Sequence, residues 1–319
     1  MDKYDIAFCV NNAYIQYICV TIVSIITNNP GKVIHFHILV DAIKQEEQKR
    51  LNDILKDKPD TSLSIIKVQP DMLPSLPQKA WPKYAWYRLL LPVVLPESIN
   101  KVLYLDADTL VVGDISGLFN LKMDNIAIAG VIDPLNFDEI TFERCNYYSK
   151  SQYICSGVLL MNLSYWRAHN LTAEIIKYAK KHADTIMFPD QDSINVLCKN
   201  NKLILPLKYG IQGSFFTKDN FYSKEYLKEL KDCIFCPVII HYAGQAPWKK
   251  EWANHYYQKT WEDYNKKLKY PAKRYWITKG WPFVKMLVWN VIHPFEWNSK
   301  IPSSDVILQK LEEASKNDS

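Results

Sequence analysis

Over residues 4–69 the hydrophobic pattern switches back and forth between two periods, and this restricts the fold more than any other feature. "YDIAFCV" (4–10), "VIHFHILVD" (33–41) and "LSIIKVQ" (63–69) are short, apolar, β-prone runs. Between them, "YIQYICVTIVSIITNNP" (14–30) carries apolar residues at helical spacing and ends on an Asn-Asn-Pro stop. "KQEEQKRLNDILKDK" (44–58) has the pattern of an amphipathic surface helix. Strand, helix, strand, helix, strand at this spacing predicts parallel βαβ units in an α/β domain. The first strand stops at Asn11-Asn12, directly before a helix, where open α/β sheets bind ligands. No G-x-G-x-x-G stands there, which disfavours a dinucleotide site.

The rest of the chain adds "AWYRLLLPVVLP" (85–96), a helical turn closed by prolines, and "KVLYLDADTLVVGDI" (101–115), the expected central strand and its sequel. Further strands are expected at "IAIAGVID" (126–133), "SGVLLMNL" (156–163) and "CPVIIHYAG" (236–244), and a helix at "LTAEIIKYAKKHA" (171–183). "FPDQDSINVLCKN" (188–200) reads as a loop running into a helix. With 319 residues, 48% hydrophobic and 23% charged, the chain suits one large globular domain or a domain plus an appendage. Seven cysteines without a C-x-x-C point to reduced thiols and not to a disulfide framework or zinc site. Asp2 and Asp5 stand where a signal peptide needs positive charge, and no run is apolar enough for a membrane span; both are therefore expected to be missing.

"LYLDADTLV" (103–111) holds the chemistry. Residues i and i+2 of a strand share a face, so Asp106 and Asp108 are expected to converge. Two adjacent carboxylates cannot both stay ionised without a cation, and a divalent metal resolves the conflict. Two enzyme classes use that arrangement. Haloacid-dehalogenase-like phosphatases place a nucleophilic aspartate, here Asp106, in D-x-D-x-T beside magnesium. Nucleotide-sugar transferases use D-x-D to hold a metal against a diphosphate. The phosphatase motif belongs on a first strand, whereas here a βαβαβ region precedes it, and no later paired-aspartate strand end completes a phosphatase metal site.

Taken in order, "KVLYLDADTLVVGDI", "SGVLLMNL", "PDQDSIN" and "HYAG…PW" resemble glycosyltransferase family 8 over roughly residues 4–250. That family includes bacterial lipopolysaccharide galactosyl- and glucosyltransferases, with glycogenin more distant. The resemblance implies a GT-A fold, a Rossmann-like mixed sheet flanked by helices, and a UDP-hexose donor. It also implies manganese, with magnesium as the substitute, and retention of anomeric configuration. The metal ligands would be Asp106, Asp108 and His241. Val10, Asn11, Asn12 and Tyr14 correspond to the uridine pocket; Arg88, Asp106 and Ala107 to residues along the donor; Asp133 and Ser156 to the sugar; Gly244 and Lys249 to the diphosphate. Asp190, Gln191 and Asp192 match the catalytic segment under the donor sugar, with Gln191 steadying charge at the anomeric carbon and either aspartate the candidate for a covalent route.

Two departures stand out. The family's "NAG" is "CSG" here, Cys155 to Gly157, and its lysine before "PW" is Ala246, so that Lys249 or Lys250 would have to replace it. A nucleotide-sugar-binding protein without catalysis is the remaining alternative.

From about residue 248 the composition shifts. Trp248, Trp252, Trp261, Trp276, Trp281, Trp289 and Trp297 crowd this end, and residues 264–285 carry lysines and an arginine without one acidic side chain. The expected organisation is a transferase domain over 1–250 and an aromatic, basic, helical extension over 251–319. Residues 265–295 are read as a surface for anionic membrane, not nucleic acid, or as a helical lid packed on the catalytic domain, with the protein on the cytoplasmic side. A glycan or glycolipid is the expected acceptor.

Overall fold

The computed structural model describes residues 3–79, 81–133, 139–147, 153–216, 224–250 and 255–276. Its strands are β1 (Lys3–Cys9), β2 (Val33–Val40), β3 (Thr61–Lys67), β4 (Lys101–Leu105), β5 (Thr109–Val111), β6 (Ile128–Ile132), β7 (Ile154–Asn162), β8 (Lys202–Ile204), β9 (Ile211–Gln212) and β10 (Ile239–His241). They form a seven-stranded sheet in the order β3-β2-β1-β4-β7-β6-β8 and a three-stranded sheet in the order β5-β10-β9.

The alternation over residues 4–69 produces the parallel half, in which β2 pairs with β3 and with β1, and β1 with β4. β1 is buried from Tyr4 to Cys9, as a strand covered on both faces must be, and this is why it reads as a continuous apolar run. The helix Ile15–Asn28 lays Ile15, Ile18, Cys19, Ile22 and Ile25 into the same core. Asn29 ends it, donating to the Ile25 carbonyl and accepting from the Ile115 amide. β7 then runs antiparallel to both β4 and β6, so the sheet is mixed.

β1 has β2 on one side and β4 on the other, which makes the gap between β1 and β4 the point where the strand order reverses. Crevices at such points bind ligands in open α/β sheets. The C-terminal ends of β1 and β4 open there, at Val10–Asn12 and at Asp106.

One expectation needs correcting. β4 ends at Leu105, and Asp106-Ala107-Asp108 form a turn, not strand, with Thr109 donating both its amide and its hydroxyl to the Asp106 carbonyl. Strand alternation therefore does not bring the two carboxylates together; the reversal between β4 and β5 does.

The second sheet completes the geometry. β10 pairs antiparallel with β5, setting His241 opposite Thr109, and the Tyr242 amide donates to the Asp108 carbonyl. A histidine distant in sequence thereby reaches the D-x-D turn.

Residues 255–276 pack on this core. Tyr257, Trp261, Leu268 and Ala272 join the cluster that holds Ile18 and Ile22. The helix Gln258–Asn265 is anchored to Ile15–Asn28 by a 2.6 Å hydrogen bond from Asn28 Nδ2 to the Tyr264 hydroxyl. Tyr275 exchanges backbone hydrogen bonds with Trp248 and Lys250. Residues 277–319, with most of the basic and aromatic stretch, lie outside the described residues. Among the described residues no helix is long and apolar enough to cross a membrane, and all seven cysteines are free.

Candidate active site

At the mouth of the crevice, Asp106, Asp108 and His241 each offer a ligand atom, all within 4.8 Å of one another. His241 Nε2 lies 3.4 Å from Asp108 Oδ1 and 4.0 Å from Asp106 Oδ2. Ligands about 2.0–2.2 Å from a small divalent cation stand roughly 3–4 Å apart, so the triad fits such an ion. Two carboxylates and an imidazole suit a hard or borderline metal. Gly157 makes the room: a Cβ there would sit 2.2 Å from His241 Cε1 and 2.9 Å from Asp106 Oδ2.

Electrostatics support the same site. Burial works to raise the Asp108 carboxyl pKa, yet His241 and Lys249 hold it below the usual carboxylate value. Burial likewise works to lower the His241 pKa, while Cys155 and Asp108 raise it well above that of an ordinary histidine. Cys155 Sγ contacts His241 Nδ1 at 3.5 Å, so the thiol that replaces the family's asparagine touches the ring nitrogen facing away from the cation site.

Asp106 turns its other oxygen inward. Its Oδ1 accepts from Arg88 Nη2 at 3.0 Å and from the Tyr104 hydroxyl at 2.5 Å. Arg88 is 3% exposed, lies over the Tyr104 ring, donates to the Ser156 carbonyl and reaches Asp190 Oδ2 at 3.3 Å. This buried guanidinium thus ties the partly exposed Asp106 to the buried Asp190, with an ion pair on each side. A charge buried this deeply persists only when it is paired.

Asp190 and Gln191 open the helix Pro189–Leu197. Asp190 Oδ2 accepts from Ser156 Oγ at 3.0 Å; Gln191 Oε1 accepts from the Ser156 amide at 2.8 Å, and its Nε2 donates to Asp133 Oδ2 at 3.4 Å. Burial pushes the Asp190 pKa up, with Arg88 only partly opposing it. Asp192 lies elsewhere. Successive helical residues turn by about 100°, so side chains two apart point to nearly opposite sides. Its Oδ2 accepts from Arg144 Nε at 3.0 Å and from the Met187 and Phe188 amides, and its Oδ1 accepts from the Tyr153 hydroxyl at 2.5 Å. At 1% exposed, Asp192 is enclosed by these groups and anchors the helix start.

At the end of β1, Val10 is buried and donates its amide to Leu39. Asn11 Oδ1 caps the following turn through the Tyr14 amide at 3.1 Å, and Asn12 Oδ1 accepts from the Lys44 amide at 2.7 Å. Tyr14 is half-buried, edge-on to Tyr17 and Trp248. Ala107 sits between the two aspartates, and Gly244 lies exposed in the turn after β10. Lys249 is close enough to Asp108 to depress its pKa, whereas Lys250 lies over the Trp276 ring at 5.9 Å.

Several contributors escape a sequence reading. Tyr104 could have been found, because it stands near the end of β4, just before the D-x-D turn. The demand for glycine at position 157 comes from a side chain on β10, and Arg144 and Tyr153 meet Asp192 only in the fold.

Comparison with known proteins gives a family and a fold. The model of Glycosyl transferase family 8 matches residues 5–253. A lipopolysaccharide 1,2-glucosyltransferase of Escherichia coli is 29% identical over 80% of this chain and 75% of its own. A lipopolysaccharide 1,3-galactosyltransferase of Salmonella typhimurium is 27% identical over 77% and 73%. Among solved structures, the galactosyltransferase LgtC in complex with donor and acceptor sugar analogs superposes with a TM-score of 0.73 at 21% identity, covering 88% of this chain and 99% of LgtC. At that identity the match speaks for the fold, which is GT-A.

Proposed function

Since the chain belongs to glycosyl transferase family 8, we propose that it transfers a hexose from a UDP-sugar to a hydroxyl of a glycan or glycolipid. The product is a cell-surface polysaccharide or lipopolysaccharide, as the names of the relatives suggest. One observation carries the reading: Asp106, Asp108 and His241 converge at the crevice between β1 and β4, beside Arg88, Asp190 and Gln191.

Manganese is the cation proposed for Asp106, Asp108 and His241. Bound there, it supplies positive charge to the leaving diphosphate. The protein's own groups do the rest. Tyr14 and Asn11 receive the uracil end, and Asp133, Ser156 and Asp190 face the sugar. Lys249 replaces the lysine missing at Ala246, because its charge acts on Asp108 while Lys250 is engaged by Trp276. Gln191 is held at both ends of its amide, by the Ser156 amide and by Asp133. It is therefore positioned to steady charge at the anomeric carbon, not to form a bond. Asp190 is occupied by Arg88 and Ser156, and Asp192 is sealed from the crevice. Front-face attack by the acceptor on the side UDP leaves gives retention without an enzyme nucleophile.

The phosphatase alternative fares worse. Asp106 Oδ1 is already taken by Arg88 and Tyr104, which leaves it poorly disposed to act as a nucleophile. Cytoplasmic location with contact to the membrane's inner face belongs to the same proposal. Lys266, Lys267, Lys269, Lys273, Tyr270, Tyr275 and Trp276 are all exposed on the described part of the tail and suit an anionic lipid surface.

The test is release of UDP from UDP-glucose and UDP-galactose with and without manganese. Manganese-dependent UDP release supports the proposal. Inorganic phosphate release from a phosphomonoester would replace it with the phosphatase, and binding without turnover with a sensor.

A further inference from the structure

Gln212 ends β9 and is in register with His241 on the parallel strand β10. Registered neighbours on adjacent parallel strands share a face of the sheet. The preceding pair, Ile211 and Ile240, is fully buried in the core on the other face. Gln212 therefore projects to the side on which His241 meets Asp106 and Asp108. It is 3% exposed, yet its Nε2 finds no hydrogen-bond partner. Buried amide groups are nearly always paired, so an orphan beside a reaction centre calls for a completing group.

The chain reaches β9 from the sugar side of the crevice. Gly210 lies against Val131, where a Cβ would be 3.0 Å from the valine Cγ2, and Val131 precedes Asp133 by two residues. β9 thus follows a contact with β6 and pairs with the strand that carries His241.

We propose that Gln212 is a sugar-recognition residue, whose side-chain amide donates to a hydroxyl of the hexose held beside the Asp106–Asp108–His241 centre. This rests on the transferase reading given above. The hydroxyl belongs either to the sugar being transferred or to the accepting sugar, and the chemistry of recognition is the same.

Gln212→Met keeps length and volume but removes the amide. Binding of UDP with manganese reads the nucleotide and metal alone, binding of UDP-hexose adds the transferred sugar, and transfer to methyl glucosides and galactosides adds the acceptor. The expected result is a tenfold or greater weakening in a sugar-dependent measurement, with UDP affinity unchanged within twofold. If UDP-hexose affinity falls, the hydroxyl is the donor's; if only the ratio of transfer to hydrolysis falls, it is the acceptor's. Unchanged UDP-hexose binding and transfer would overturn the proposal. So would equal loss of UDP and UDP-hexose affinity, which would mean that Gln212 merely supports His241. Failure of the unsubstituted protein to bind UDP would instead refute the transferase reading.

Discussion

Gly157→Ala should remove His241 from the cation site while leaving the chain folded. The added methyl would stand 2.2 Å from His241 Cε1, 2.6 Å from Nε2 and 2.9 Å from Asp106 Oδ2, where ordinary contacts begin at 3.4 Å. The imidazole must then retreat by about 1 Å, whereas metal–ligand distances tolerate only about 0.2 Å. Retreat is resisted on the far side, because Cys155 Sγ already touches Nδ1 at 3.5 Å. Overpacking of this kind costs about 1–3 kcal/mol of stability. Disturbing even the groups that support a metal ligand weakens binding by about 10–100-fold, and displacing the ligand itself should do at least as much. Manganese affinity, read from the free-ion paramagnetic resonance signal, and unfolding in urea separate the two effects. A variant that binds manganese within twofold of the parent would refute the steric reasoning, and with it the placement of His241 as a ligand.

Arg88→Met should destabilise the fold by about 3–5 kcal/mol, because it leaves the buried Asp190 without its cation and the partly exposed Asp106 without the same partner. Urea unfolding checks this, and Arg88→Lys should rescue it only in part, since an ammonium lacks the fork that serves both carboxylates. Lys249→Ala should lower kcat for UDP release by about tenfold or more, whereas Lys250→Ala should change it little; unaffected kinetics for both would end the case for a replacement lysine. His255 should make stability sensitive to acid. Its Nδ1 accepts from the Tyr257 amide, and burial pushes its pKa down to about 4 from an ordinary 6.5. Between those values the unfolded chain binds a proton that the fold refuses. Stability is thus full above the ordinary value and falls as pH drops through about 4, by about 2 kcal/mol between pH 7 and 5. His255→Phe should flatten this part of the pH–stability curve, measured by urea unfolding at each pH.

What the sequence disclosed tracks how local the cause was. The parallel half was legible because each of β1 to β3 is set by its own run and by the helix after it. The D-x-D convergence was anticipated for the wrong local reason, since a turn and not strand alternation creates it. β8 and β9 have three and two residues, too short to show a period, and only pairing with distant strands makes them strands. The helix Lys224–Phe235 was open to a periodicity reading, with Leu230, Cys233 and Ile234 buried at helical spacing. The shift in composition near residue 248 was open to a membrane surface or to a lid on the catalytic domain; within the described residues Trp248 stacks on Tyr17 at 3.9 Å and Trp261 lies in the main core. Tryptophan-rich composition reported burial there as much as it reported surface. For Asp190 and Asp192, spacing on a helix decides what adjacency in sequence could not: one faces Arg88 and Ser156, the other Arg144 and Tyr153.

The charges at the crevice give these separate pieces a common logic. Asp106 and Asp190 share Arg88, while Asp108 has His241 and Lys249. Arg88 pairs with both Asp106 and Asp190, so its charge holds those carboxylates in place. The face turned to the crevice therefore remains acidic, with Asp106 Oδ2 and Asp108 pointing toward His241 and away from the guanidinium. A diphosphate approaching that face meets the like charge of the carboxylates, and His241 and Lys249 are weak counterweights in a partly solvated site. A divalent cation inverts the sign of the same surface. Arg88 thus suits the site to a cation: it neutralises the inner oxygen of Asp106 and the carboxylate of Asp190, and leaves Asp106 Oδ2 to face a cation together with Asp108 and His241.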